Sequence, residues 1–477
     1  MGAMTRDSRR AGISLGVLIL AFALEGPGLA RGEEGPSAKP FWVGTGSCSA
    51  MSCHNGRREP LALKGSEYSF SAAYDSHAKA FSVLYDDRSK RIEKLLRRID
   101  RLEDADATTD DLCLKCHVHQ GYDSKQPQRS VEFSNADGAG CEGCHGPASN
   151  WLLPHTEGGF KSLSDQDKYE LYGLRPTKDL AARAQICTEC HVGLKDADVN
   201  HDLIAAGHPR LNFEYTNQLG KYPKHWYLAD DKARHPDYEA KAWALGQLVA
   251  ARAALDLLAY RAEKSIPDDS TAPWPEFSES SCFSCHQTVK KDVKTAILAG
   301  GPRPGNLPWG TWFFALPKTV GEASGFELEP FGSPINLLRA EMSQPIPDAK
   351  LVALEAREAS AQLGVWIDGI NRGQLQPGEI KGLLDGVLKD QAARQTLDWD
   401  RAAQDYLAIV ALGKSLVPSD PRYGDLAAKS GLSRLQLQLN LPIASVGNPK
   451  ILDSPISFDP ASLRGEFQAI KSALPNP

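Results

Sequence analysis

The chain has 477 residues, 24% of them charged, and a formal net charge of −6. That length admits two or three domains, and a mildly acidic chain with no long basic run gives no support for nucleic-acid binding. Its ten cysteines fall in five close pairs, so no thiol is left over for reactive or cross-linking roles once the pairs are used.

In chain order, residues 1–30 read as an export signal. Arg6, Arg9 and Arg10 form a basic start, Ala11 to Leu24 an apolar run of 14 residues, and Gly28-Leu29-Ala30 a small-residue cleavage site before Arg31. As a helix the run reaches only about 21 Å, short of the roughly 30 Å hydrocarbon core, so cleavage is favoured over a retained anchor. No other stretch approaches membrane length, and the expectation is a periplasmic or otherwise exported chain with no integral membrane segment after signal removal. Residues 31–40 contain Gly, Pro and Glu and are predicted to be a disordered leader.

Residues 41–330 contain every cysteine and histidine of the mature chain, and residues 331–477 contain neither. In the first zone two helices are predicted. One runs from about Ser82 to Leu102, with a stripe of Leu84, Ile92, Leu95, Leu96 and Ile99 beside a solvated basic face. The other starts after Pro236 and runs to about Lys264, with Trp243, Leu248, Leu255 and Leu258 inward. The last zone is predicted to be a helical region serving packing, with partner contact as the alternative, and with helices over Asp348–Arg372, Gly378–Arg394, Trp399–Leu416 and Asp459–Leu474; Asp459-Pro460 supplies an N-cap and a first-turn proline.

The five cysteine pairs are Cys48/Cys53, Cys113/Cys116, Cys141/Cys144, Cys187/Cys190 and Cys282/Cys285, each followed at once by a histidine: His54, His117, His145, His191 and His286. In C-x-x-C-H the three side chains share one face of a helical turn, so two thiols can add to the vinyl groups of one porphyrin while the imidazole reaches its iron. Zinc ribbons use two pairs per metal and need no histidine after each pair, and five pairs do not divide evenly. Disulfides across a two-residue loop would be tight. The motifs therefore point to five covalent haem c groups. The first motif is widened to four intervening residues, so its loop must bulge, but Cys53-His54 is intact.

The first four motifs, one widened and three strict, in this order, together with Ser76-His77-Ala78-Lys79-Ala80 and with Gly140-Cys-Glu-Gly-Cys-His145-Gly-Pro147 followed by His155, resemble the tetrahaem cytochrome c-554 type of ammonia-oxidising bacteria. That type belongs to a wider group with multihaem nitrite reductases and hydroxylamine oxidoreductases. The likeness covers roughly residues 41–195; the fifth motif and the zone after residue 330 go beyond it. The resemblance implies a mainly α fold with extensive loop, its short helices wrapped around closely packed c-type haems. Residues 41–300 provide 52 residues per haem, which agrees.

Seven histidines remain for the distal faces: His77, His119, His155, His201, His208, His225 and His235. Methionine is nearly absent as an alternative. The resemblance implies that His155 crosses to the first site (His54) and His77 to the third (His145). His208 is the choice for the fourth (His191), with His201 as its rival, and the fifth would take His201 or His225. His119, two residues from His117, cannot reach the opposite face of that site. The resemblance also places an open iron at the second motif. The leading expectation is an electron carrier working with redox partner proteins. The alternative is an enzyme acting on nitric oxide or hydroxylamine at a five-coordinate haem; the lysine in place of a proximal histidine that marks the related nitrite reductases is absent.

Overall fold

The computed structural model describes residues 39–56, 63–120, 122–124, 129–282, 307–393, 398–426, 431–439 and 460–475. The predicted signal, nearly all of the predicted leader, and Cys285 and His286 lie outside the described residues. Helices begin where short polar side chains can accept from the free N–H groups of a first turn. Asp110, Asp179, Asn200, Asp348 and Asp398 each do this for the helix that follows. Among the described residues the fold is mainly α-helical and loop-rich with no β-sheet; only isolated bridges, such as Trp42 with Arg129, pair extended backbone.

The part that carries the motifs is made of short helices and turns. The basic helix is shorter than its apolar stripe suggests: a 3-10 turn covers Ser82–Tyr85, and the α-helix runs Asp87–Arg97. Extended Asp86 separates the two, and Arg98, in the left-handed region at φ 55°, stops the second. Apolar clusters here are small. One gathers Phe81, Leu84, Ala107, Leu114, Val118 and Tyr122. Another gathers Val43, Ala148, Trp151, Phe160 and Tyr172.

The large core lies elsewhere, around the helix Tyr238–Ser265. Trp243, Leu248, Leu255 and Leu258 are fully buried in it, as the periodicity predicts. Contrary to the sequence expectation that no stretch beyond the signal approaches membrane length, this helix reaches the length and composition needed to cross a membrane, but its most apolar window is 83% buried within the protein, as a core helix is. Buried Ala240, Ala242, Ala251, Ala259 and Ala262 let neighbouring backbones approach closely. It packs most extensively along Ala349–Arg372 and also against Leu180–His191 and Trp399–Leu416. Lys241 enters from its first turn and donates to the carbonyls of Asn371 (2.7 Å) and Gly373 (2.8 Å), capping the end of its neighbour. The four helices read from the Cys- and His-free zone are present as Ala349–Arg372, Pro377–Ala393, Trp399–Leu416 and Pro460–Ala473, joined by Glu329–Glu341 and Leu432–Gln438. That zone thus shares its core with Tyr238–Ser265 and, through it, with the helix of the fourth motif.

Candidate functional site

The second, third and fourth motifs lie on helices that end on their histidines: Asp111–His117, Cys141–His145 and Leu180–His191. Each cysteine pair and its histidine therefore sit on the last turn, sharing a face. The first motif lies on a 3-10 turn, Thr45–Cys48, and a following non-helical turn, as its two extra residues require. Glu142, inside the third motif, is buried and accepts from the backbone N–H groups of Val43 (3.0 Å), Gly44 (2.7 Å) and Ala148 (2.7 Å). It ties the approach to the first motif onto the third. Gly146 follows His145 at φ 85°, where a Cβ would strike the carbonyl of Gly173.

None of the nine described cysteines forms a disulfide. Burial pushes the thiols of Cys113 and Cys187 up to about 12 and that of Cys144 up to about 11. Thiols of different motifs lie close enough to shift one another's protonation: Cys48 with Cys141, and Cys116 with Cys190. Cys144 lies within electrostatic reach of Cys187 and Cys190. In space the motifs therefore run first, third, fourth, second.

The spare histidines come to the motif histidines from distant parts of the chain. His54 faces His155 with ring centres 6.2 Å apart, His77 faces His191 at 6.0 Å, and His145 faces His225 at 6.3 Å. An iron with a bond of about 2 Å to each imidazole, plus roughly 1 Å from nitrogen to ring centre, sets such rings about 6 Å apart. The ring planes differ by 14°, 84° and 60° in the same order. At the second motif, His208 lies within electrostatic reach of His117.

The protonation pattern fits a metal ligand set. His117 donates through Nδ1 to the carbonyl of Ala80 (2.6 Å), His155 to that of Leu152 (2.5 Å), and His208 to that of Pro209 (2.8 Å). Nδ1 of His54 meets Glu67 (3.2 Å), and Nδ1 of His77 meets Asp75 (2.8 Å). A proton held on Nδ1 leaves Nε2 bare, the form that binds a metal. Burial lowers His145 and His191 to about 4, with His225 and His77 adding to it respectively, so both rings are neutral. Paired thiols beside neutral, oriented imidazoles are a donor set that fits haem c.

Three placements differ from the sequence expectations. His77 stands against His191, not against His145, where the resemblance put it. His208 lies within electrostatic reach of His117, and the ring that faces His191 is that of His77. His225, weighed for the fifth motif, is the ring that faces His145. No local signal marked His225; its position follows from Trp226, which donates to buried Asp231 (2.7 Å) on the next helix. His201 is held by the segment leading to the fifth motif: its backbone N–H donates to Glu276 (2.8 Å) and its ring packs on Phe277. His286 is outside the described residues, so the fifth pair is not placed. His119 stacks on Trp42 with ring centres 3.8 Å apart and is buried among Tyr122 and Phe133. His235 lies at the end of the helix Leu228–Arg234.

Comparison with known proteins agrees with part of this. Residues 48–146, covering the first three motifs, match the family described as cytochrome c554 and c-prime. The chain is 31% identical over 130 residues to cytochrome c-554 of Nitrosomonas europaea, a match covering 24% of this chain and 48% of that protein. The chain thus spans about half the length of the curated relative it matches. No solved structure matches it. The protein carries a helical, cytochrome-c554-like domain over part of its length, related at low identity to a family of haem c cytochromes.

Proposed function

We propose that the protein is an exported electron carrier with five covalent haem c groups, held by Cys48/Cys53, Cys113/Cys116, Cys141/Cys144, Cys187/Cys190 and Cys282/Cys285. The observation that carries this reading is that His155, His225 and His77 face the motif histidines His54, His145 and His191 about 6 Å away. When bound, haem c supplies an iron couple that takes up and releases one electron. The chain does the rest. Its thiols tether, His54, His117, His145, His191 and His286 take the proximal positions, and His155, His208, His225 and His77 take the distal positions of the first four sites. His201 is the candidate for the fifth. The backbone carbonyls and the carboxylates of Glu67 and Asp75 fix ring orientation, so little rearrangement accompanies a change of charge. In the order first, third, fourth, second each site lies beside the next, and the smallness of the apolar clusters around them supports porphyrins as much of the core.

The rival reading, chemistry on nitric oxide or hydroxylamine at an open second site, needs the face opposite His117 clear, and what speaks against it is His208, which lies within electrostatic reach of His117. The test combines mass and spin state. After acid-acetone extraction the mature chain should keep five haems, and its paramagnetic-resonance spectrum should be low-spin throughout and unchanged by cyanide. Four haems would remove Cys48/Cys53 from the proposal. A mass equal to the bare chain would overturn it, and a high-spin haem that binds nitric oxide would favour the rival.

A further inference from the structure

The loop that carries His208 is held at both ends by different parts of the molecule. At one end Gly207, at φ 121°, presents its carbonyl to Nε (2.9 Å) and Nη2 (2.6 Å) of Arg88, on the basic helix next to the second motif. At the other, Arg210 makes two parallel bonds of 2.8 Å to the two carboxylate oxygens of Asp400. Asp400 lies 190 residues away, in the first turn of Trp399–Leu416, and is only 3% exposed. Trp312 adds a bond from its indole N–H to the carbonyl of Phe213 (2.9 Å) and stacks on Trp399. A two-pronged guanidinium–carboxylate pair fixes direction as well as distance, and burial keeps water from substituting for either partner.

We propose that Asp400, through Arg210, is a positioning residue for the second site: the Cys- and His-free helical zone clamps the His208 loop so that the imidazole occupies the face opposite His117. The inference rests on His208 as the distal ligand there. Arg210 is two residues from His208, and the intervening Pro209, with its fixed φ, transmits the position of the guanidinium to the ring. Without the clamp the far side of the loop loses its two-pronged anchor, and the Arg88 contact to Gly207 and the Trp312 contact to Phe213 are left to hold it. The helical zone then has a role at the haems although it offers no ligand: it decides whether one iron has five or six ligands. Arg210 is also within electrostatic reach of Cys282, so the same pair sits between the second site and the fifth motif.

The test uses the full-length, haem-loaded protein and reads ligation without turnover. Asp400→Asn should keep the haem count by mass while one haem becomes high-spin and binds cyanide; Asp400→Glu should stay low-spin; Arg210→Lys, which cannot make the two-pronged contact, should follow Asp400→Asn and serves if that variant does not fold. His208→Ala is the control for the underlying ligation and should produce the same high-spin haem. Leu435→Ala, a buried change elsewhere in the bundle, should not. If His208→Ala leaves the spectrum low-spin, His208 is not the ligand and the reading beneath falls. If His208→Ala opens a site but Asp400→Asn and Arg210→Lys do not, the clamp alone is wrong. If Leu435→Ala opens it equally, general loosening replaces the Asp400 pair as the cause.

Discussion

At the scale of single residues, the acceptors behind the histidines are not alike. His117, His155 and His208 rest on backbone carbonyls, whereas His54 and His77 rest on carboxylates. A carboxylate draws the Nδ1 proton more strongly, makes the imidazole a better donor to iron and favours the oxidised state. Asp75 is the stronger case. Burial would raise its pKa, but the bonds from His77 and from the Tyr222 hydroxyl (2.8 Å) hold it below the usual carboxylate value. On the proposed reading, Asp75→Asn raises the reduction potential of the site shared with His191 by on the order of tens of millivolts. Tyr222→Phe should move the same potential down, because an Asp75 freed of the hydroxyl pulls harder on His77. Spectroelectrochemical titration of the two variants checks both signs, and equal shifts in one direction would exclude a carboxylate effect.

At the scale of elements, the helix of the fourth motif is pinned by a buried ion pair. Arg183, in Leu180–His191, donates to both oxygens of Asp231 (2.9 and 3.2 Å) on Leu228–Arg234, and Trp226 and Arg234 donate to the same carboxylate. Burial opposes the charge on Asp231, but these donors together hold its pKa below the ordinary value. The stabilisation is therefore complete above a pH of about 4 and is lost as pH falls through the depressed folded value. Asp231→Asn should cost about 3–5 kcal/mol at pH 7, because Arg183 is left buried without its counter-charge. The difference between variant and wild type should shrink as pH drops toward 3, as denaturant midpoints at the two pH values would show. Elements of this kind differ in how far the sequence reveals them. Trp399–Leu416 and Ala349–Arg372 were legible to within a residue, because a 3.6-residue apolar period and an Asp cap are both local. The pairing of His77 with His191 was not, because it depends on how loops some hundred residues apart are docked, and nothing near His77 records that.

At the scale of the whole molecule, absence of ligand chemistry after residue 330 read as absence of a role at the sites, and the packing argues otherwise. Tyr238–Ser265 and the later helices form one core, with Trp366, Leu363 and Leu384 fully buried in it. That core carries the fourth motif helix on one side and the Asp400 clamp on the other. A cut at residue 330 would therefore open the apolar face of Tyr238–Ser265 as well as release the His208 loop.

The meeting of thiols from different motifs has a consequence for how such a chain must be made. Cys48 with Cys141 and Cys116 with Cys190 lie within hydrogen-bonding reach across motif boundaries. Four of these five motifs hold their own two cysteines close in sequence, yet folding brings the wrong ones together. In the folded chain, burial also keeps Cys113, Cys144 and Cys187 protonated, and a protonated thiol adds poorly to a vinyl group. On the proposed reading, maturation is a race between attachment and folding. On the same reading, a chain that folds first in an oxidising compartment is expected to become a dead end, cross-linked between motifs and closed to its cofactor. In cells lacking the attachment machinery, non-reducing peptide mapping should find Cys48–Cys141 and Cys116–Cys190 bridges in preference to bridges within a motif. Loading the already folded apoprotein should fail unless it is first unfolded and reduced.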